Sequence, residues 1–446
     1  MFEYKTENIL KVLNLFYNMK KVIFLVDMNA FFISCEMTRH PELIGKPAAV
    51  AGDPKKRTGI ILAANYEARE YGVKTTMILQ EAFRRCPNMR IVPPDHNFYE
   101  QKSKEVMSIL SSYTPVLEQN SIDEAWLDMT GCEGLFGEPL ECAGRIMENI
   151  KAELGLWCSI GISENKFLAK MASELKKPLG ITELWEKDVQ QKLWPLPVRF
   201  MYGVGKQTAK KLQVMGINTI GDLALFSQNI LIKKFGKSGI EMYAHANGID
   251  DSGVIPKNND DMKSIGRSLT LAEDISDIEK AKIILMQLAD EVGMLARKHE
   301  KKGRTVQITL KYADFKTITR QKTISPTYLT KEIYSTGINL LEHNWNIHKP
   351  VRLIGISLCD FEENIDLKQI SIMDLVAESA VAPTSNYKNG ICMNNKEERL
   401  GEKERLWKKE MLEKEERLEK TIDILKQKHG YSKITRAVLI EKKEKK

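Results

Sequence analysis

The chain has 446 residues, of which 43% are hydrophobic and 28% are charged, and its formal net charge is +7. This balance is typical of a globular protein and excludes a fibrous or a wholly disordered one, while the length suggests two to four domains. The longest apolar runs, such as residues 22–26, are far shorter than the ~18–20 residues of a membrane-spanning helix. The seven cysteines form no CxxC pair, so neither a disulfide framework nor a structural zinc site is expected. We therefore expect a soluble, cytoplasmic protein.

The first part of the chain alternates predicted strands and helices. Short apolar runs predict strands at residues 22–26, 60–64, 121–129 and 157–162. Apolar residues at helical spacing predict helices at residues 98–113 and 142–154. This alternation is typical of an α/β or α+β domain, which ends near residue 184.

A second module is predicted beyond a helical region. Residues 193–247 are typical of short helices separated by glycines, and the polar residues 250–261 predict a linker. The module after the linker combines strands at 304–312, 315–324 and 351–358 with helices at 278–299 and 330–342.

Charge is distributed unevenly between these parts. Residues 1–262 carry 32 basic and 32 acidic side chains, whereas residues 263–360 carry 16 basic and 11 acidic ones, a net charge of +5. A basic module beside a neutral one favours a polyanionic partner such as nucleic acid. An ordinary solvated surface is the alternative.

The two ends of the chain differ from the rest. Residues 1–18 precede Met19, which resembles a natural start, so they are expected to be an extension or the result of a misplaced start codon. Residues 376–395 predict a flexible connector. Residues 402–428 predict an exposed helix whose mixed charges pair at positions i and i+4.

Three carboxylates are candidate metal ligands. Asp27 ends an apolar run, and Asp123 and Glu124 are adjacent within another. Adjacent acids repel each other, so an apolar strand rarely carries both unless a cation neutralises them. Mg²⁺ held by a few carboxylates, with its other positions left for water and phosphate oxygens, is common in enzymes that act on nucleotides. A surface Asp-Glu pair at a hairpin is the alternative.

Candidate phosphate ligands are interleaved with these acids. Tyr66 and Arg69 lie at positions i and i+3, so both side chains can reach one triphosphate from one helical face. Lys166 and Lys170 follow a predicted strand at a helix start, where anions bind well. Neither spacing is a specific motif by itself. The order in which these residues and the three acids follow one another along the chain is much more specific.

Several longer motifs occur within residues 20–365. They read VDMNAFF from Val26, ANYEAR from Ala64, SIDEA from Ser121, GVG from Gly203 and KSIGR from Lys263. Together they resemble the motifs of the Y-family (translesion) DNA polymerases, and within that family those of the bacterial DNA polymerase IV branch.

The resemblance implies a multidomain α+β fold arranged as a right-hand polymerase. It implies a palm, small fingers, a helical thumb with a helix-hairpin-helix, an α/β little finger and a charged tail. The implied boundaries are 19–29 and 96–186 for the palm, 30–95 for the fingers, 187–252 for the thumb, 253–262 for a linker and 263–365 for the little finger. Residues 366–446 would contain a clamp-binding peptide and the tail.

The resemblance also implies metal-binding roles. Asp27 and Asp123 would bridge two Mg²⁺ ions, and the backbone carbonyl of Met28 would join the ion on the triphosphate side. Glu124 would complete the other ion's site, so that the pair stabilises the attacking and the leaving oxygen. Asn29 stands where many relatives carry a fourth acid, and it is not counted as a ligand.

Other residues would hold and select the nucleotide. Tyr66, Arg69 and Lys170 would bind the triphosphate. Phe32 would be the steric gate, whose ring leaves no room for a 2′-hydroxyl. A simple core role suits Phe31 equally well, and the family pattern favours the second ring as the gate.

DNA would be held through its backbone. Gly203 and Gly205 would let the chain approach a phosphate closely, and Lys206 would add charge, as in a helix-hairpin-helix. A tight helical hairpin that binds no DNA is the alternative. The basic module would hold the duplex through three candidate contacts, Arg267, Arg304 and Arg320.

The peptide Gln369-Ile370-Ser371-Ile372-Met373 is a candidate ligand of the ring-shaped sliding clamp. In an extended segment, Ile372 and Met373 would enter an apolar pocket while the amide of Gln369 fixes the register. Met373 stands where Phe or Leu is commoner. An apolar stretch that packs on the little finger is the alternative.

These features predict a low-fidelity, template-directed DNA polymerase without proofreading that acts in translesion synthesis and DNA repair. Its substrates would be primer–template DNA and deoxynucleoside triphosphates, and its cofactor would be Mg²⁺. It would be a monomer that binds the sliding clamp. The alternatives are a nucleotidyl cyclase with a similar palm and a catalytically inactive DNA-binding accessory protein.

Overall fold

The structure is a computed structural model that describes residues 20–53, 59–256, 262–361, 395–430 and 433–436. The chain divides into two compact units, Met1–Asn258 and Asn259–Lys446. The predicted extension at 1–18 and the candidate clamp peptide at 369–373 lie outside the described residues. No described helix is both long and apolar enough to cross a membrane.

The described residues of the first unit form eight strands and eleven α-helices. The strands are β1 (Ile23–Met28), β2 (Ala48–Ala51), β3 (Ile61–Ala64), β4 (Arg90–Val92), β5 (Leu117–Gln119), β6 (Glu124–Asp128), β7 (Cys158–Ser163) and β8 (Ile181–Glu183). The helices are α1 (Phe31–Arg39), α2 (Tyr66–Glu70), α3 (Leu79–Arg85), α4 (His96–Ser111), α5 (Glu133–Phe136), α6 (Pro139–Leu154), α7 (Lys166–Leu175), α8 (Lys206–Val214), α9 (Ile220–Ala224), α10 (Gln228–Phe235) and α11 (Lys237–Ala246).

A five-stranded sheet with the order β5-β6-β1-β7-β8 is the centre of this unit. Its middle strand β1 is antiparallel to β6 and β7, and all six of its residues are buried. Phe24 and Val26 pack with α4 and α6, whereas Ile23 and Leu25 pack on the face that contains Ala169 of α7. Because both faces are covered, the strand is apolar at every position up to Asp27, as the sequence predicted.

A smaller sheet and a group of helices complete the first unit. The sheet has the order β3-β2-β4, with β2 antiparallel to β3 and parallel to β4. The helices α8–α11 share a core with one side of α7. Part of the predicted linker also packs on this unit, since Val254 is buried and the N–H of Ile255 donates to Glu118 at 3.0 Å.

The second unit is an antiparallel sheet covered by helices on one face. Its strands are β9 (Ser264–Ile275), β10 (Gly303–Tyr312), β11 (Thr317–Thr327) and β12 (Val351–Phe361), in the order β11-β10-β12-β9. Its helices are α12 (Ile278–Lys298), α13 (Thr330–Asn344) and α14 (Asn395–His429). The sequence predicted α12, α13 and three of these strands, but not β9.

The C-terminal half of α14 docks on α12 through one face, which corrects the prediction that its charges pair along the helix, while most of its other residues are exposed as predicted. Arg297 of α12, whose side chain is 2% exposed, donates to both carboxylate oxygens of Asp423 at 2.6 and 3.0 Å. The same guanidinium lies 3.3 Å from Glu419. The charges of the tail therefore pair across helices, and Glu419 and Lys426 are buried.

A second charged contact lies beside the first. Asp290 of α12 accepts hydrogen bonds from Lys426 and, at 2.8 Å, from Arg436. Burial by itself would raise the pKa of Asp290, but these two cations outweigh it and hold that pKa below its usual value. Arg436 also binds Glu419 at 2.6 Å, so the two contacts form one network.

Candidate active site

The three predicted metal ligands lie where β1 and β6 run side by side. Asp27 in β1 is paired in register with Glu124 in β6. The backbone carbonyl of Asp123 accepts a hydrogen bond from the N–H of Met28 at 2.9 Å. The pairing of these strands thus brings together acids that are far apart in the sequence, and Asp27 is only 8% exposed.

Two lysine ammonium groups pair with two of these acids, Asp27 and Glu124. Lys170 Nζ lies 2.8 Å from Asp27 Oδ2 and 2.6 Å from Glu124 Oε2. Lys177 Nζ lies 2.9 Å from the same oxygen of Asp27. Burial by itself would raise the pKa of Asp27, but the two cations hold that pKa below its usual value. Burial would likewise lower the pKa of Lys170, but Asp27 and Glu124 raise it, so the lysine stays charged.

Close packing of α7 on β7 sets the position of Lys170. A Cβ atom at Gly161 would lie 2.0 Å from the carbonyl oxygen of Ala169. Asn165 caps the helix by accepting a hydrogen bond from the N–H of Leu168 at 2.8 Å. Any residue larger than glycine at position 161 would therefore push α7 and its lysine away from the acids.

The acids offer the oxygen donors that Mg²⁺ prefers, although lysines now bind two of them. Among the residues that the structure describes, no group of three or more acidic, histidine or cysteine side chains stands in a metal-ligating arrangement. Lys170 bridges Asp27 and Glu124, and Asp123 Oδ1 accepts a hydrogen bond from Ser121 Oγ at 2.5 Å. The chemistry of the carboxylates suits a divalent cation, which would replace a lysine wherever it takes Asp27 Oδ2 or Glu124 Oε2. The role of Lys170 as a triphosphate ligand stays a prediction.

A cleft of about 330 Å³ opens beside the acids. Its walls include six of the predicted site residues, Asp27, Met28, Asp123, Phe32, Tyr66 and Arg69. Glu124 and Lys170 do not line the cleft. Each is a neighbour of Asp27, which does. The structure therefore places the candidate metal, nucleotide and gate residues around one space.

Tyr66, which lines this cleft, carries an unused hydrogen-bonding group. Its hydroxyl is buried and has no hydrogen-bond partner among the described residues, and burial raises its pKa, so it remains a donor. Arg69 lies 4.9 Å from the tyrosine ring and donates through Nε to the carbonyl of Ala64 at 2.9 Å. A buried, unpaired hydroxyl costs about 1–3 kcal/mol. An anion that accepts its hydrogen bond would recover that cost.

The two adjacent phenylalanine rings differ in their surroundings. Phe31 is 3% exposed and belongs to the core. Phe32 is half-buried and stacks on Tyr99, with ring centroids 4.5 Å apart and planes inclined by 14°. Tyr99 is fully buried and donates its hydroxyl to the buried carboxylate of Glu36 at 2.6 Å. The sequence analysis did not single out these two supporting residues, because Tyr99 fits the apolar face of its helix and nothing in the sequence shows that Glu36 is buried.

Asn29 has a structural role, in line with its exclusion from the predicted ligands. Its side chain is 2% exposed and donates to Ser159 Oγ at 3.0 Å. The side-chain oxygen of Asn29, Oδ1, accepts a hydrogen bond from the N–H of Leu179 at 3.0 Å. The amide thereby joins β1 to β7 and to the segment before β8.

The predicted helix-hairpin-helix residues lie at the exposed start of α8. Gly205 precedes the first residue of the helix, Lys206, and Gly203 adopts a φ of 87°, which favours glycine. Neither glycine has a neighbouring atom within 4 Å of a Cβ position. Lys206 and Lys210 are exposed on the same helix, so a phosphate could approach the backbone here.

Two of the three candidate arginines of the second unit lie on the helical face of its sheet. Arg267 and Arg320 are paired in register with buried isoleucines of the neighbouring strands. Arg267 lies 3.7 Å from Glu291 of α12, and Arg320 donates to Asn344 of α13 at 2.9 Å. Arg304 is exposed at the start of β10.

The opposite face of this sheet consists mainly of small polar side chains. The strand positions that alternate with the core positions are Ser264, Gly266, Ser268, Thr270, Thr305, Gln307, Thr309, Lys311, Thr317, Thr319, Gln321, Thr323, Leu353, Gly355, Ser357 and Cys359. Hydroxyl and amide groups bind phosphate and sugar oxygens regardless of base sequence. The sequence analysis missed this surface because Lys311 is the one charged residue among these positions.

Three family models match the chain. The model of the impB/mucB/samB family matches residues 26–174, and the model of that family's C-terminal domain matches residues 262–372. A third model, the IMS family HHH motif, matches residues 186–217, which include Gly203 and Gly205.

Relatives of known sequence and structure extend this likeness over most of the chain. The DNA polymerase IV of Clostridium kluyveri is 67% identical over 358 residues, which cover 80% of this chain and 90% of that protein. The DNA polymerase IV of Alkaliphilus oremlandii is 54% identical over 424 residues, or 95% of this chain and 100% of that protein. A solved structure titled Y-family DNA polymerase chimera Dbh-Dpo4(243-245)-Dbh matches with a TM-score of 0.68 and 26% identity, over 77% of this chain and 100% of that one. The chain therefore belongs to the Y-family of DNA polymerases and, within it, to the bacterial DNA polymerase IV group.

Proposed function

We propose that this chain is a low-fidelity, template-directed DNA polymerase of translesion synthesis whose residues Asp27, Asp123 and Glu124 hold two Mg²⁺ ions. The observation that carries the proposal is the convergence of these acids beside a cleft that Tyr66 also lines, a residue whose buried hydroxyl has no hydrogen-bond partner among the described residues. Its substrates are primer–template DNA and deoxynucleoside triphosphates, and it acts as a monomer.

The elements of the structure correspond to the regions of a right-hand polymerase. The five-stranded sheet is the palm, the smaller sheet with α1–α3 forms the fingers, α8–α11 form the thumb and the second unit is the little finger. We propose the boundaries expected from the sequence, with the fingers at 30–95, the thumb at 187–252 and the little finger at 263–365.

The residues in and beside the cleft have different roles in the proposed nucleotide addition. Bound Mg²⁺ supplies Lewis-acid stabilisation of the primer oxygen and of the leaving pyrophosphate. The three carboxylates and the backbone carbonyl of Met28 provide its oxygen ligands. Tyr66 and Arg69 hold the triphosphate through hydrogen bonds. Lys170 would stabilise the charge that grows on the pyrophosphate.

Phe32 is proposed as the sugar gate, and replacing it by alanine tests that role. Phe32→Ala opens space beside the sugar, so the preference for deoxynucleotides over ribonucleotides should fall by about ten-fold or more. The measurement is the ratio of kcat/KM for matched deoxynucleotide and ribonucleotide incorporation. Phe31→Ala is the control, because that ring lies in the core. If the ratio is unchanged in Phe32→Ala and changed in Phe31→Ala, the gate is Phe31 and the proposal is wrong.

Two surfaces are proposed to hold DNA without reading its sequence. The backbone around Gly203, Gly205 and Lys206 binds a phosphate of the duplex, supported by the open space around both glycines. The hydroxyl-rich face of the little-finger sheet binds the sugar-phosphate backbone. A polymerase that accepts any template needs contacts of this kind.

The peptide at residues 369–373 is proposed to bind the sliding clamp. Its extended apolar residues would enter a pocket of the clamp, and the tether would raise the local concentration of primer ends without any change at the active site. Replacing Gln369, Ile372 and Met373 together by alanine should abolish stimulation of synthesis by the clamp and leave clamp-free extension intact. Ser371→Ala is the matched control within the peptide. If clamp-free extension falls as well, the peptide has a structural role.

A primer-extension assay separates the proposed function from its two rivals. The chain is incubated with Mg²⁺, four deoxynucleotides and a labelled primer, with and without an annealed template. Extension only in the presence of template supports the polymerase. A cyclic nucleotide formed without any primer would identify a cyclase, and DNA binding without extension would identify an accessory protein.

A further inference from the structure

Glu174 touches both lysines that bind the catalytic acids. It lies one turn after Lys170 on α7, and its Oε1 is 3.1 Å from Lys170 Nζ and 2.8 Å from Lys177 Nζ. Its side chain is 45% exposed, whereas those of Lys170 and Lys177 are 11% and 22% exposed. Neither the sequence motifs nor the proposed mechanism gives this carboxylate a role.

The two lysines occupy oxygen atoms that a metal ion would need. A single oxygen of Asp27 accepts Lys170 at 2.8 Å and Lys177 at 2.9 Å, and Lys170 also binds Glu124 at 2.6 Å. A divalent cation that binds Asp27 Oδ2 or Glu124 Oε2 replaces the ammonium groups there. An ammonium group in so enclosed a place is unfavourable without a counter-charge.

We propose that Glu174 is a positioning residue that retains Lys170 and Lys177 when divalent cations displace them from Asp27 and Glu124. Glu174 already contacts both lysines, so they can withdraw to it without any movement of α7. It thereby lowers the cost of metal entry and keeps two positive charges beside the cleft for the triphosphate. The inference rests on the proposed metal site.

The alternative is that Glu174 only forms an ordinary surface ion pair along its helix. Exposed pairs of this kind contribute little to stability. In that case the removal of its charge would change metal affinity no more than the removal of a similar pair elsewhere. Glu81, which binds Arg85 at 2.8 Å with i,i+4 spacing on α3, is such a pair.

The test is the affinity of the full-length chain for Mn²⁺ in the absence of DNA and nucleotide, measured from the free-ion signal in electron paramagnetic resonance. We expect Glu174→Gln to weaken binding by about five-fold or more, because the lysines then compete with the metal more strongly. Lys177→Gln removes one competitor and should tighten binding. Glu81→Gln is the matched control and should leave the affinity unchanged. Thermal melting of each variant confirms that it is folded.

A double variant separates the proposed mechanism from a general effect of negative charge. If Glu174 acts by retaining lysines, the effect of Glu174→Gln becomes smaller in the Lys177→Gln background. An equal effect in both backgrounds, or no effect of Glu174→Gln alone, would overturn the inference and leave the metal site intact. Absence of Mn²⁺ binding by the unaltered chain would remove the metal site and the inference with it.

Discussion

Replacing Asp123 by alanine is expected to reduce template-dependent primer extension to near background. The substitution removes a carboxylate that lines the cleft beside Asp27, whereas the proposed DNA contacts lie on other elements. Duplex binding should therefore persist, as measured by fluorescence anisotropy of labelled DNA. Single-turnover extension gives the size of the catalytic defect.

Asp128→Ala is the matched control for this substitution. Asp128 lies on the same strand, β6, and its carboxylate accepts a hydrogen bond from the N–H of Thr130 at 3.0 Å, away from the cleft. It should extend primers at a rate close to that of the unaltered chain. If Asp123→Ala retains a rate within ~10-fold of the unaltered chain, equivalent to about 1.4 kcal/mol, Asp123 is not a catalytic ligand.

A second large effect is expected at the docked tail. Asp423→Ala should lower the unfolding free energy of the second unit by about 3 kcal/mol, because it leaves the buried guanidinium of Arg297 without its bidentate partner. This is the lower end of the usual range, since Glu419 remains 3.3 Å from Arg297. Hydrogen exchange in α12 as a function of urea measures this energy in the full chain.

Glu413→Ala is the control for the tail, because Glu413 is exposed on the same helix. It should change the unfolding free energy by less than about 0.5 kcal/mol. If Asp423→Ala lowers the unfolding free energy no more than Glu413→Ala does, the contact between α14 and α12 does not stabilise the second unit.

The palm could be predicted from the sequence because its strands are buried on both faces. Every residue of β1 is buried, so the strand is a continuous apolar run that an acid ends. β9 could not be predicted in the same way. Its apolar residues Ile265, Leu269 and Leu271 alternate with small polar ones, but Arg267 stands on the same face and most positions are exposed, so the strand has no continuous apolar run.

The tail shows a second limit of pattern analysis. A helix with mixed charges has the same sequence whether those charges pair along the helix or with another helix. The difference lies in Arg297, which falls within the apolar face of α12 and is buried there. Only the packing of the two helices shows that Asp423 is its partner.

The candidate site was predicted as a set of residues but not as a set of contacts. The acids, Tyr66 and Arg69 were identified by motif, and the structure brings them to one cleft. The binding of Lys170 to Asp27 depends on how closely α7 approaches the sheet, which the sequence does not encode locally. The stacking of Phe32 on Tyr99 similarly joins two helices whose own patterns predict only burial.

The central claim is that a DNA template directs which nucleotide this chain adds. The most direct test is single-nucleotide incorporation with Mg²⁺ on four primer–templates that differ only in the first unpaired template base. Each of the four deoxynucleotides is supplied separately, and kcat/KM is measured for all sixteen combinations. We expect the complementary nucleotide to be preferred opposite every template base, with measurable incorporation of mismatches. Addition of the same nucleotide whatever the template base, or no addition at all, would contradict the claim.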